Sequence, residues 1–377
     1  IGSESVAVGA FALNAQNPAT ATNMYNVAVG HNTGAAITTG TLNTAVGALA
    51  LDADTLGSRS TAIGYTALSN QNFTTATDSN NTAVGFQAGV VVTTGQYNTL
   101  IGSEAGDALT TGGANTAVGY AALSSDDLGS RSVAIGNAAL FYQNYATATD
   151  SYNTAVGDRA GNNVTTAIRN TLIGGLSGDA LTEGARNTTL GYAALSGDTL
   201  GSRSVAIGYE ALGSQNFTTA TDTNNTAVGY AAGNAVTTGL NNTFIGGEAG
   251  LSITDGAENV AIGMQALRAE DGNGQNTAVG MQALEDLNAG ATGNNTAVGH
   301  IAGRRMTTGT ANTLIGAAAG DALTDADINV AVGYNSLSSD TLGSGSVAVG
   351  QGTLNSQNFT TATTSYNTAV GYGAGNA

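Results

Sequence analysis

"YNTAVGDRAGNNVTTAIRNTLIGGLSGDALTEGARNTTLGYAALSGDTLGSRSVAIGYEAL", residues 152–212, states one five-residue phrase four times, as NTAVG, NTLIG, NTTLG and SVAIG. With the closing glycine as position zero, the phrase occurs 21 times in the 377 residues, from Gly9 to Gly371. Of the 20 intervals, fourteen are 17 residues, five are 21 and one is 19. Spacing this regular means one structural unit stacked on itself.

The columns carry the chemistry. Position −1 is always Val, Ile or Leu, −3 is always Val or Thr, and −4 is always Asn or Ser. Position +3 is nearly always Ala, +4 is Leu or Gly, and a further glycine usually stands at +10, as at Gly95, Gly112, Gly129 and Gly239. Alternating β-branched residues before a glycine predict a short strand ending in a corner. Helix-hairpin repeats need units of about 33–47 residues, and two near-fixed glycines per unit would destabilise helix by about 1 kcal/mol each. The expected fold is therefore all-β, a parallel β-solenoid of about 21 coils of 17–21 residues spanning residues 1–377 as one continuous repeat region. At about 4.8 Å per coil, such a stack would be a rod of roughly 100 Å. Constant letters are then contacts between neighbouring coils: Val and Ile ladders, and a side-chain ladder of the Asn or Ser at −4 like the stacked amides of cross-β structures.

A longer rhythm overlies the short one. Gly64, Gly136, Gly208 and Gly280 follow one another at 72 residues, so about four coils make a larger unit. The 21-residue intervals insert a loop, Q-N-[FY]-x-T-A-T, around Phe73, Tyr145, Phe217 and Phe359. These aromatic tips are the candidate surface contacts, either packed on the solenoid flank or forming a multivalent contact surface. Position −2 is normally Ala but carries Leu100, Leu172, Phe244 and Leu314 in one coil type. If −3 and −1 point inward, −2 points outward, and a long apolar strip is not left wet. Those four residues are accordingly the candidate chain–chain contacts of a homo-oligomer. The reverse assignment, with −2 inside, stays open on the sequence alone.

The phrase S-V-A-I-G with Ala at +3, as in Ser204 to Ala211, resembles the head repeats of YadA-type trimeric autotransporter adhesins. N-T-A-[VI]-G-Y-x-A-L phrases are similar to repeats of bacteriophage tail fibres. The resemblance covers essentially the whole chain. It implies a left-handed parallel β-roll, with three parallel chains packed into a stiff trimeric rod. The coils here are longer than the adhesin pattern. Both ends fall inside a repeat, so a fragment of a longer fibre protein is expected.

Composition narrows the function. The chain has 55 Gly, one Pro (Pro18), no Cys, no Trp and only 9% charged residues, with a formal charge of −17. That charge repels nucleic acid and anionic membrane surfaces, so neither is an expected partner. Without cysteine there are no disulfides and no thiolate metal sites. No run of eighteen apolar residues occurs, so no membrane-spanning helix is expected.

Catalytic chemistry finds little support. The only histidines, His31 and His300, both stand at +1, where Tyr is common, and look like members of a surface column. Asp54, Asp198 and Asp340 recur at repeat positions, which suggests surface decoration rather than a carboxylate pair. Arg59, Arg131 and Arg203 form a column expected to be solvated or weakly paired. The calcium-roll pattern G-G-x-G-x-D is missing, so no cofactor is expected, with calcium as a minor alternative. The +1 aromatic column could stack on sugar faces.

The expected function is a non-enzymatic structural rod of an extracellular, cell-surface or virion fibre that holds a binding tip away from its base. The alternative is a binding module that attaches to a host surface glycan or protein through the loop aromatics. A weaker one is an ice-binding solenoid, which needs an outward Thr array where the expected orientation puts Thr in the core.

Overall fold

The computed structural model describes residues 2–272, 274–290 and 292–376. It is all-β, with parallel strand pairing and no helix among the described residues, and the repeat forms a parallel β-solenoid. Two compact units divide the chain, Ile1–Arg186 and Asn187–Ala377.

In the first unit, three-residue strands run from Val6–Val8 to Thr171–Ile173, each the start of one coil. They pair in register: Thr82, Ala83 and Val84 face Thr99, Leu100 and Ile101, which face Thr116, Ala117 and Val118. Backbone hydrogen bonds run along the stack, from Thr44 N–H to Ser60 O and from Gly47 N–H to Val29 O, both at 2.8 Å. The second unit repeats this arrangement from Thr188–Leu190 to Thr368–Val370, with Thr226, Ala227 and Val228 facing Thr243, Phe244 and Ile245. At Gly64 φ is +140°, and a Cβ would lie 2.1 Å from the carbonyl oxygen of Gly85. The corner column is glycine because neighbouring coils touch backbone to backbone there.

The strand orientation corrects the expected one. Position −2 faces the core: Ala45, Ala83, Ala117 and Ala227 are buried, while the residues on either side are partly or fully exposed. The interior of a 17-residue coil is slim. It is filled by the −2 residue, Ala at +3, Leu at +4 and the residue at +7, as in Ala45, Ala50, Leu51 and Asp54. Two β-branched residues per coil would not fit that width, whereas Ala lets the opposite wall close against the strand.

Leu100, Leu172, Phe244 and Leu314 are consequently fully buried, so these candidate chain–chain contacts belong to the core. Their size is explained by glycine at +4. A Cβ on Gly89 would lie 2.6 Å from Leu100 Cδ1, and one on Gly106 would lie 2.7 Å from Leu100 Cδ2. One Leu at −2 thus occupies the space of two absent Leu side chains at +4, in its own coil and the one before. Leu172 does the same between Gly161 and Gly178, Phe244 between Gly233 and Gly250, and Leu314 between Gly303 and Gly320.

The −4 column forms a ladder mainly between side chain and backbone rather than the expected stack of amides. Asn43 Oδ1 accepts from Ser60 N–H at 2.8 Å, while Asn43 Nδ2 donates to Gly57 O at 2.9 Å. Asn43 N–H in turn donates to Asn26 Oδ1 at 2.9 Å. Each amide satisfies a buried donor and a buried acceptor of the next coil, which would otherwise be costly.

Where Ser replaces Asn before a long coil, a buried polar cluster takes over. Gln71 Nε2 donates to Asp54 Oδ2 at 2.6 Å and to Ser60 Oγ at 2.8 Å, and Gln71 Oε1 accepts from Asn81 Nδ2 at 2.8 Å. Gly57 N–H donates to Asp54 Oδ1 at 3.0 Å. The same cluster recurs around Asp126 in the first unit and around Asp198 and Asp340 in the second. Asp54, Asp198 and Asp340 are fully buried and structural, which corrects their reading as surface decoration.

Candidate functional site

The outward side of each strand presents two columns. Position −3 is Thr or Val and −1 is Val, Ile or Leu, so the strip carries no charge in either unit. The −1 side chains are substantially exposed, with Ile101 at 39% and Leu190 at 48%. Along the first unit the hydroxyls of Thr44, Thr61, Thr82, Thr99, Thr116 and Thr154 make no hydrogen bond to the described residues. By contrast, Thr93 at +8 uses its hydroxyl on the backbone oxygen of Thr110 at 3.1 Å. These six hydroxyls are thus left to solvent or to whatever covers the strip.

Beyond the glycine corner lies the exposed +1 column. In the second unit Tyr192, Tyr209 and Tyr230 stack ring on ring, with centroids 5.7 and 5.5 Å apart. In the first, Tyr65 and Phe86 stack at 5.7 Å. Rings packed face to face turn their edges outward, so this column offers fewer faces to a sugar than the sequence suggests. His31 and His300 are exposed members of it. No group of three or more metal-ligating side chains is found among the described residues, and no helix there is long and apolar enough to cross a membrane.

The loop aromatics are not tips. Phe73, Tyr145 and Phe217 are only 4–6% exposed, and Phe359 is half-buried. The loop folds back because its backbone is needed inside: Phe73 N–H donates to Asp54 Oδ1 at 3.3 Å and Phe73 O accepts from Thr55 Oγ1 at 2.9 Å. Tyr145 O–H donates to Ala167 O at 2.6 Å, and burial pushes its phenol pKa up. What the first of these loops displays instead is Thr74, Thr75 and Ala76.

Burial also raises the carboxyl pKa of Asp126 to about 6, against hydrogen bonds from Gln143 and Gly129 that work to lower it. Asp54 and Asp198 are raised for the same reason. These groups face their own clusters and not a cleft. The Arg59, Arg131 and Arg203 column pairs with acids one coil on, Asp78, Asp150 and Asp222, at 3.3, 3.2 and 3.0 Å. All three pairs are about half exposed and contribute at most about 1 kcal/mol each. At the fourth equivalent position Gly345 and Thr364 replace both partners together.

The strand-face strip was missed in the sequence because Thr, Ala and Val alternate without a large polarity difference. Leu100 at −2 beside Gly89 and Gly106 at +4 was the available signal. No protein-family profile matches the chain, and no curated protein matches it.

Proposed function

We propose that the chain is a structural segment of an extracellular or virion fibre, non-enzymatic, in which identical chains associate through the strand-face strip. The observation that carries this reading is the charge-free strip of −3 and −1 side chains. A soluble monomer rarely leaves an apolar strip of more than about 300–600 Å² open. Ten coils at about 4.8 Å and two side-chain columns about 7 Å apart give each unit a strip of that size or more. On a chain of charge −17 it is also where two copies meet without like-charge repulsion. Axial backbone hydrogen bonds make each stack stiff, which suits a shaft. The resemblance to adhesin and tail-fibre repeats favours three chains.

Sedimentation velocity and light scattering of the chain, alone and as Ile101→Glu/Ile135→Glu, test this. The expected result is a trimer that the double variant converts to monomers with an unchanged β circular dichroism spectrum. A wild-type monomer at micromolar concentration would overturn it.

One observation favours a second reading. The Thr column faces outward, so the objection that Thr sits in the core no longer holds against an ice-binding face. Thermal hysteresis with a monomeric chain would support that reading over the fibre.

A further inference from the structure

One exposed column of the first unit departs from the acidic character of the chain. Position −5 carries Tyr97, Ala114, Arg131, Tyr152, Arg169 and Arg186 in six successive coils. Three of the nine Arg residues therefore stand within four coils, in a chain of charge −17. The backbone does not ask for arginine there. All six residues have φ between 52° and 62°, a left-handed conformation costing about 1–2 kcal/mol for residues other than Gly and Asn. Other coils place Asn80, Asn224, Asn241, Asn294 or Gly345 at this position, and Arg59 and Arg203, which also stand there, are held in ion pairs with Asp78 and Asp222.

The three cations differ in how they are held. Arg131 Nε lies 3.2 Å from Asp150 Oδ1, and its guanidinium lies 5.5 Å from the Tyr152 ring centre. Arg169 and Arg186 are exposed and make no ion pair or side-chain hydrogen bond with the described residues. They belong to adjacent coils, about 4.8 Å apart at the backbone, so their like charges oppose one another until an anion lies between them. At the other end of the column, a groove of about 300 Å³ is lined by Tyr97, Gln96, Thr111, Gly113, Arg131 and Asp150. Tyr97 is 60% exposed, with no other ring stacked on it.

We propose that this column of the first unit binds an acidic polysaccharide, with its carboxylate or sulfate groups on Arg169 and Arg186 and a sugar ring against Tyr97 in the groove. The planar guanidinium fork matches carboxylate and sulfate oxygens in pairs. An unstacked phenol ring offers an apolar face to the C–H face of a sugar. A nucleic acid fits less well, because its dense phosphates need many cations and the rest of the chain repels them. The site is independent of the fibre reading, since it lies on other side chains than the −3 and −1 strip.

The test is biolayer interferometry of the full chain on immobilised alginate and dextran sulfate, with neutral dextran and single-stranded DNA alongside, at low and physiological salt. Binding to one or both acidic polysaccharides is expected, weakening with salt, and the relative affinity identifies the acid group. Arg169→Glu/Arg186→Glu should weaken it by about tenfold or more, with an unchanged circular dichroism spectrum. Arg304→Glu/Arg305→Glu, an equal charge change off the column and in the second unit, should leave it within about twofold. No binding to either polysaccharide, equal loss in both variants, or equal binding to dextran or DNA would overturn the proposal.

Discussion

Leu100 shows how one residue sets the shape of two coils. It fills the room above Gly89 and Gly106, whereas coils with Ala62 at −2 carry Leu68 at +4. Either arrangement fills the same slim interior, and shortening the −2 Leu beside two +4 glycines leaves a hole. Leu100→Ala should therefore cost about 2–5 kcal/mol in denaturant unfolding. Adding Gly89→Leu and Gly106→Leu recreates the other coil type and should recover at least about half of that loss. The backbone permits it, because Leu51 and Leu68 already hold the left-handed +4 conformation at φ 53° and 49°. A triple variant less stable than Leu100→Ala alone would contradict the exchange of volume between −2 and +4.

At the scale of the coil, the polar clusters are the element that responds to pH. Asp126 has a folded-state pKa of about 6 against a reference of 3.8, because burial disfavours its charge. The folded state then binds the proton more tightly than the unfolded one. That contribution to stability is complete below about 3.8 and is lost as pH rises through about 6. Asp54 and Asp198 are shifted in the same direction. Lowering the pH from 7 to 5 should raise the melting temperature, and a carbon-detected titration should place the Asp126 midpoint near 6. A melting temperature that falls over this interval, or an Asp126 midpoint below 4, would contradict the burial argument.

Coils, their lengths and their parallel stacking were legible in the spacing of the corner glycines. The direction of the strand was not. Thr44, Ala45 and Val46 are all small, and either face of such a strand could close a core. The Asp54 cluster was illegible for a related reason. A lone Asp every 72 residues looks solvated until Gln71 is known to stand beside it in the next coil.

For the molecule as a whole, a formal charge of −17 keeps copies apart except where no charge is present. Both units carry such a strip on their strand faces, and the proposed association follows from that distribution. The sequence made the loop rings Phe73, Tyr145 and Phe217 look like the contacts, because aromatic residues in polar inserts resemble tips. The structure turns them inward because the loop backbone satisfies Asp54 and its counterparts. The −5 arginines were visible as residues, but only the stacking aligns Arg169 with Arg186.

The claim beneath all of this is that segments 17 residues apart lie against one another with position −2 inside. Methyl-resolved nuclear Overhauser contacts in the first unit test it most directly. Contacts linking Ala83, Leu100 and Ala117 in series, with their amides protected from exchange, are the predicted result. Contacts confined to residues three or four apart, or an Ala83 methyl group in fast contact with water, would contradict it.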